Sequence, residues 1–339
     1  MTLDTDRGRE GLRRVVIGWS LVLVLVLGAF IGTVAALNST VYSASGFVRS
    51  YLDELARHDG RAALDTPGVT VPETGSRALL NGVALGELED VRLLRDEAGR
   101  GGTRAVSFGY AADGVAGTTT FEVRPTGTRF LLFRTWEFAV SPVSALDVTV
   151  AHATTFTANG LMVDTAIEPR DLDGGVTSFL VFAPSAYALG HESRYLDANP
   201  VSVLVDAPGA TVAATVAPRA NAVFVEQVQR ELDAYLADCT TQRVLQPAGC
   251  PFGQTVRDRI QGEPEWSMAR PPRVTLQPYS ADPADLTWLV PETAGAAHIA
   301  VDVRSLYDGR VTRLDQDVAF SVSLRVVPLP DGTLQLEGL

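Results

Sequence analysis

Lysine is absent from this chain of 339 residues, and all 28 of its basic residues are arginine. That bias marks no site by itself. Basic charge is also outweighed: a formal charge of −12 excludes broad nucleic-acid binding, which needs a concentrated positive field against phosphate. Histidine is scarce. His58, His152, His191 and His298 are scattered, with no HExxH pair and no short ligand cluster, so no metal site is expected from them. There is no Walker motif and no strand–glycine–helix dinucleotide signature, and no cofactor is expected. The acidic stretch EPRDLDGG, residues 168–175, lacks the ligand spacing and closing glutamate of an EF-hand and reads as an exposed loop.

Cysteine occurs only twice, at Cys239 and Cys250 in CTTQRVLQPAGCPFG. The spacing is unlike CxxC, and no nearby histidines complete a zinc set. Whether the two form a clasp or stay as thiols depends on the compartment in which they lie.

What the chain does have, near its start, is a long uncharged apolar run. VVIGWSLVLVLVLGAFIGTVAAL, residues 15–37, would rise about 34 Å as a helix, enough to cross the hydrocarbon core of a bilayer. Its apolar length exceeds that of a cleaved signal peptide, so it is expected to remain as an anchor. Arg7, Arg9, Arg13 and Arg14 precede the run, whereas only Arg49 and Arg57 follow closely. That bias assigns residues 1–14 to a cytoplasmic tail and everything after about 40 to the outside, in a bacterial plasma membrane. No ionisable residue lies within the span, which argues against transport or proton relay by it. Gly28 and Gly32 form a GxxxG pattern, which is either a close-approach face for another helix or ordinary membrane-helix composition. In an oxidising exterior, Cys239 and Cys250 are expected to form a structural disulfide.

The exported chain divides by period. In SGFVRSYLDELARHDGRAAL, Phe47, Val48, Tyr51, Leu52 and Leu55 recur at helical spacing, with an exit at His58–Asp59–Gly60. The runs VRLLRDE, TRAVSFGYAAD, GTTTFEVRPTG and TRFLLFRTWEFAV then read as antiparallel strands. Together they predict an α+β domain over 45–141. Residues 145–218 are strand-like without a long helical period and predict a small β-sandwich. Helical spacing returns over 221–239 through Val225, Val228, Leu232, Tyr235 and Leu236, and strands follow to 339. The expected fold class is thus a membrane helix followed by α+β, with two helix-plus-antiparallel-sheet modules flanking a small all-β module.

The first module, from FVRSYLDELARHDGRAAL to FLLFRTWEF, resembles the nuclear-transport-factor-2-like, or cystatin-like, cone domains, and 221–339 resembles them more weakly. The resemblance implies a curved sheet wrapped around helices, outside a single N-terminal span. It implies no activity, because the fold hosts catalytic and non-catalytic members. A cone can enclose an apolar cavity. Phe108, Tyr110, Phe121, Phe130, Phe133 and Trp136 are candidates either to wall it or to fill it.

Nothing in the spacing assembles an enzyme. Ser267, His298 and Asp302 supply the residue types of an acyl-transfer triad, but WSMAR carries no GxSxG elbow. The sequence therefore points to a non-catalytic single-pass envelope protein that binds or positions an envelope protein or a cell-wall component, with the lipid bilayer as its other partner. A ligand-binding sensor and a cone-domain enzyme are the alternatives.

Overall fold

The computed structural model describes residues 5–168, 175–329 and 331–338. Residues 1–4 of the expected tail and 169–174 of the acidic stretch lie outside the described residues. The chain begins with α1 (Thr5–Ser39) and is otherwise mainly strand, an α+β protein. Within α1, Ile17–Ser39 is 23 residues long with a mean hydropathy of 2.6 and no part of it buried, which is long and apolar enough to cross a membrane. The rest divides into two compact units. The first comprises residues up to Leu146 with Phe179–Tyr187 and Val203–Val212; the second comprises Asp147–Ser178, Ala188–Ser202 and Ala213–Leu339. The stretch expected as a separate 145–218 module is therefore shared between them.

In the first unit, α2 (Ala44–Ala56) and the short α3 (Gly60–Leu64) accompany a four-stranded sheet. Its strands β1 (Leu88–Ala98), β2 (Arg104–Ala112), β3 (Val115–Arg129) and β4 (Phe133–Phe138) pair in chain order, all antiparallel. Ser43 caps α2 by accepting a hydrogen bond from the Gly46 amide at 2.9 Å. The link from α1 folds tightly over this helix start. A Cβ on Gly46 would lie 2.3 Å from the Thr40 carbonyl oxygen, so only glycine fits there. His58 ends the helix in the left-handed region, and the Asp59 side chain caps α3.

Val48, Tyr51, Leu52 and Leu55 form the buried stripe of α2. They meet the inward positions of the sheet, where Val106, Phe108, Tyr110, Phe121, Val123, Trp136 and Phe138 alternate with exposed or half-buried neighbours. Leu180, Phe182 and Ala186 close the same core. Rings occupy its centre: Tyr51 stands edge-on to Phe138 at 5.1 Å and to Phe121 at 6.1 Å, and Phe47 lies 5.0 Å from Phe138. β1 forms the outer edge and is charged along much of its length, which discourages further pairing.

Between 143 and 220 run β5 (Val143–Val150), β6 (Thr155–Ala158), β7 (Leu161–Asp164), β8 (Val176–Phe182), β9 (Ser185–Glu192), β10 (Leu196–Val205), β11 (Thr211–Val216) and β12 (Arg219–Ala220). They make a three-stranded sheet of order β11-β5-β8 and a five-stranded one of order β12-β10-β9-β6-β7.

The second unit repeats the plan of one helix on one antiparallel sheet. Asn221 caps α4 (Ala222–Thr240), whose Phe224, Val228, Leu232, Leu236 and Cys239 are buried. Beneath it lie β13 (Arg259–Arg270), β15 (Trp288–Arg304), β16 (Val311–Pro328) and β17 (Leu334–Gly338) in order β13-β15-β16-β17, with the two-residue β14 (Gln277–Pro278) also on β15. Trp288, Val290, Ile299, Val301 and Val326 supply the sheet side of the core.

Three tyrosines of the first unit resist ionisation. Burial, and then neighbouring Tyr187, push Tyr51 well up, and burial likewise raises Tyr187. Burial, together with the charge of Asp206 and against the Thr119 hydrogen bond, pushes Tyr110 up to about 12. An unfolded tyrosine ionises near pH 10. The stability these neutral rings contribute is complete below that value and is lost as pH rises towards 12. Melting followed by near-ultraviolet circular dichroism is expected to show the first unit failing before the second at pH 11. Tyr110→Phe removes the 2.8 Å bond to Thr119, so it should cost about 1 kcal/mol at pH 7 and soften the alkaline loss.

Candidate functional site

Cys239 and Cys250 are joined, with S–S 2.06 Å and Cα–Cα 5.8 Å. The bond closes the loop that leaves α4. Gln242 braces that loop from within, its Oε1 accepting from the Ala248 amide at 2.8 Å and its Nε2 donating to the Ala248 carbonyl at 3.2 Å. Phe252 then docks on the sheet, 5.0 Å from Trp266 and 5.4 Å from Phe320, while Trp266 Nε1 donates to the Val244 carbonyl at 2.8 Å.

Beside the disulfide lies a groove of about 540 Å³. One wall is α4 through Glu231, Leu232 and Tyr235, and the other is β16 through Ser321–Leu324. Gly249, Cys250 and Pro251 close one end, and Leu336 and Gly338 of β17 border it. Tyr235, 44% exposed, is held across the mouth by donating its hydroxyl to the Gly249 carbonyl. The helical spacing placed Tyr235 on the buried stripe. Val228, Leu232 and Leu236 are buried together with Phe224 and Cys239, whereas Tyr235 is left exposed beside the groove.

The groove lies beside the pairing of β16 with β17. β17 pairs only with Leu324–Pro328 of β16, and among the described residues no strand pairs with that edge over Val311–Ser323. Backbone donors and acceptors of that edge therefore border a partly apolar trough. Sequence periodicity gives no sign of this, because an open edge follows from the unequal lengths of strands paired across the sheet.

The other candidates fall in several places. Phe108, Tyr110, Phe121 and Trp136 are buried in the first core, where the rings pack together. Phe133 is half-buried with its ring 4.5 Å from Tyr42. Phe130 is 74% exposed at the tip of the β3–β4 hairpin and belongs to no internal wall, because the strand ends at Arg129 and the chain turns outward there. Gly28 and Gly32 lie on the exposed surface of α1, where an added Cβ would meet nothing within 4 Å.

The residues of the triad are only partly brought together. Ser267 faces His298 across β13 and β15, and His298 faces Asp317 across β15 and β16. However, His298 directs Nδ1 to Asp317 at 2.8 Å and Nε2 to Asp315 at 3.3 Å. Neither nitrogen is left to take a proton from Ser267, as a base must. Asp302 instead lies 3.6 Å from Arg313. His191 holds the Thr155 carbonyl at 2.7 Å through Nδ1 and lies 3.0 Å from Ser193 Oγ through Nε2. That hydroxyl also accepts from the Leu196 amide at 3.0 Å, which locks a turn. His152 Nδ1 bonds the Asp285 carbonyl at 2.8 Å, and His58 lies 4.0 Å from Glu87. Among the described residues, no three His, Cys, Asp or Glu side chains group to hold a metal.

No family model, no curated protein and no solved structure matches this chain.

The disulfide shapes one end of the groove, so breaking it tests both stability and site. Closing so short a loop restricts the unfolded chain by about 3 kcal/mol. Replacing both cysteines by alanine should lower the unfolding free energy by up to that amount in a urea titration. Non-reducing peptide mapping of the native protein should recover the peptide containing Cys239 joined to that containing Cys250.

Proposed function

We propose that the chain is a single-pass protein of a bacterial plasma membrane, with its N-terminus in the cytoplasm and the residues after about 40 outside. Its exported part works without catalysis, by holding an extended segment of another envelope protein along the free edge of β16. The observation that carries this reading is the edge over Val311–Ser323, unpaired among the described residues, running into the groove beside α4. An incoming strand would bond to the edge through its backbone, and the trough under Tyr235 would take one of its apolar side chains. A regular row of amide donors and acceptors suits a polypeptide better than a cell-wall glycan.

The topology is supported by the arginines before the span and by a disulfide of the kind favoured in an oxidising compartment. The helix-on-sheet plan of 44–138 and 222–338 supports reading both as cone-like modules of the nuclear-transport-factor-2 kind, flanking 145–218. Rings that fill the first core favour a binding surface over an internal ligand cavity there.

A benzophenone amino acid in place of Ser321, irradiated in native cells, is expected to capture one envelope protein. Val115, exposed on the first unit, is the control position. Tyr235→Glu puts a carboxylate in the trough at an already exposed site and should reduce the adduct about tenfold, equivalent to about 1.4 kcal/mol. An adduct no stronger than that of the membrane anchor alone, or one unaffected by Tyr235→Glu, would remove the proposed edge site.

A further inference from the structure

We propose that the β3–β4 hairpin is a second membrane attachment, its tip Phe130–Leu131–Leu132 lying in lipid beside the outer end of α1. The inference rests on the reading of α1 as a span.

The tip is apolar and bare. Phe130, Leu131 and Leu132 are 74%, 90% and 40% exposed, three consecutive large side chains in the run RFLLFR. Scattered exposed leucines are ordinary, but a contiguous patch on a projecting turn calls for a partner. The backbone adds a separate argument. Phe130 and Leu131 both take positive φ, 53° and 61°, and the Leu132 amide closes the turn on the Arg129 carbonyl at 3.2 Å. Turns of this kind favour Gly, Asn or Asp at such positions. Bulky apolar residues do not help this turn form in water, so their selection points to what the tip touches.

The occupant follows from where the hairpin leads. Along β4 towards the tip, its contacts move steadily back along the chain towards α1. Phe138 packs on Tyr51 and Phe47 of α2. Trp136 Nε1 donates to the Tyr42 carbonyl at 2.9 Å, and Phe133 stacks near the Tyr42 ring. Finally Asn38, in the last turn of α1, donates Nδ2 to the Leu132 carbonyl at 2.7 Å and accepts from the Arg134 amide at 3.1 Å. The next step in that direction brings Leu131 and Phe130 level with the last apolar turns of the span. Val34 and Leu37 are partly covered there, whereas residues 17–33 are exposed. A tip fixed beside the end of a membrane helix meets the bilayer that the helix itself requires.

The flanking charges agree with a headgroup boundary. Arg129 and Arg134 bracket the tip and are exposed, and among the described residues neither has an ion-pair partner, whereas Arg124 on the same hairpin pairs with Glu137 at 2.5 Å. The Arg129 guanidinium lies 5.3 Å from the Phe130 ring centre. Long arginine stems can follow apolar rings into the interface while their heads stay with phosphate.

Depth can be read directly on the full chain. Both native cysteines are in the disulfide, so a single added cysteine takes a nitroxide label alone. Leu23→Cys lies within the span, Leu131→Cys at the tip, and Val115→Cys about 45 Å away at the other end of β3, which rises about 3.3 Å per residue. All three positions are exposed, so the label needs no repacking. In phosphatidylglycerol-containing nanodiscs, labels at Leu23 and Leu131 are expected to collide more with oxygen than with a water-soluble nickel complex, and Val115 the reverse. A lipid reading at Leu23 with an aqueous reading at Leu131 overturns the hairpin attachment and leaves the span intact. An aqueous reading at Leu23 overturns the span and the hairpin attachment with it.

Discussion

One side-chain amide joins the apolar helix to the folded part of the chain. Asn38 offers its Nδ2 to the carbonyl of Leu132 and its Oδ1 to the amide of Arg134, the two backbone groups that a neighbouring strand would otherwise engage. It thereby acts as a one-residue strand neighbour at the start of β4. Two hydrogen bonds of this kind contribute about 1 kcal/mol each in water and more where water is thin. Their greater effect is geometric. The Trp136 bond to the Tyr42 carbonyl and the Tyr42–Phe133 contact add two further fixings. The approach of Gly46 to Thr40 and Val41 keeps the connection to α2 short. With the helix end fixed at these points, the orientation of the first sheet on α1 is set by backbone-directed bonds, and the hairpin tip has little freedom of its own.

The two units answer the same packing problem differently. Each must cover one face of an antiparallel sheet with a single long helix. In the first, aromatic rings from α2, β3 and β4 meet at 5–6 Å and leave the centre filled. In the second, the helix covers the middle of the sheet with Phe224, Val228 and Leu232. At the margin a groove is left between α4 and β16, bordered by Gly249 and Gly338. The disulfide loop stands at one end of that groove, tied down by Phe252 and Trp266.

Local pattern was sufficient wherever one element alone determined the outcome. The apolar run of α1, the break at His58–Asp59–Gly60, the extent of α4 and the cysteine pairing were all readable from spacing and residue type. Errors arose where the answer lies across the fold. FLLF reads as continuous strand because it contains no Gly, Asn or Pro, yet Phe130 and Leu131 turn through the left-handed region. Tyr235 sits one position from Leu236 on the helix, yet it is 44% exposed while Leu236 is buried. The strands of 145–218 divide between the two units according to partners distant in sequence, which periodicity does not encode.

Charge is the last property that bears on the proposed anchor. The chain carries −12 overall, which at first sight opposes close approach to an anionic lipid surface. Screening changes that balance, since at physiological salt a charge acts over about 8 Å. Only groups near the outer end of α1 then bear on the headgroups, on the proposed topology. Arg129 and Arg134 flank the tip, and Arg49 at the start of α2 is already neutralised by Asp53 at 3.0 Å. Most of the acidic residues lie far along the chain, many on the exposed strands of the second unit, such as Asp315 and Asp317 with His298 between them. Net charge and local charge therefore serve different ends. The acidic surface favours solubility and discourages nonspecific association. On the proposed topology Arg129 and Arg134 would face phosphate, and among the described residues neither has an ion-pair partner.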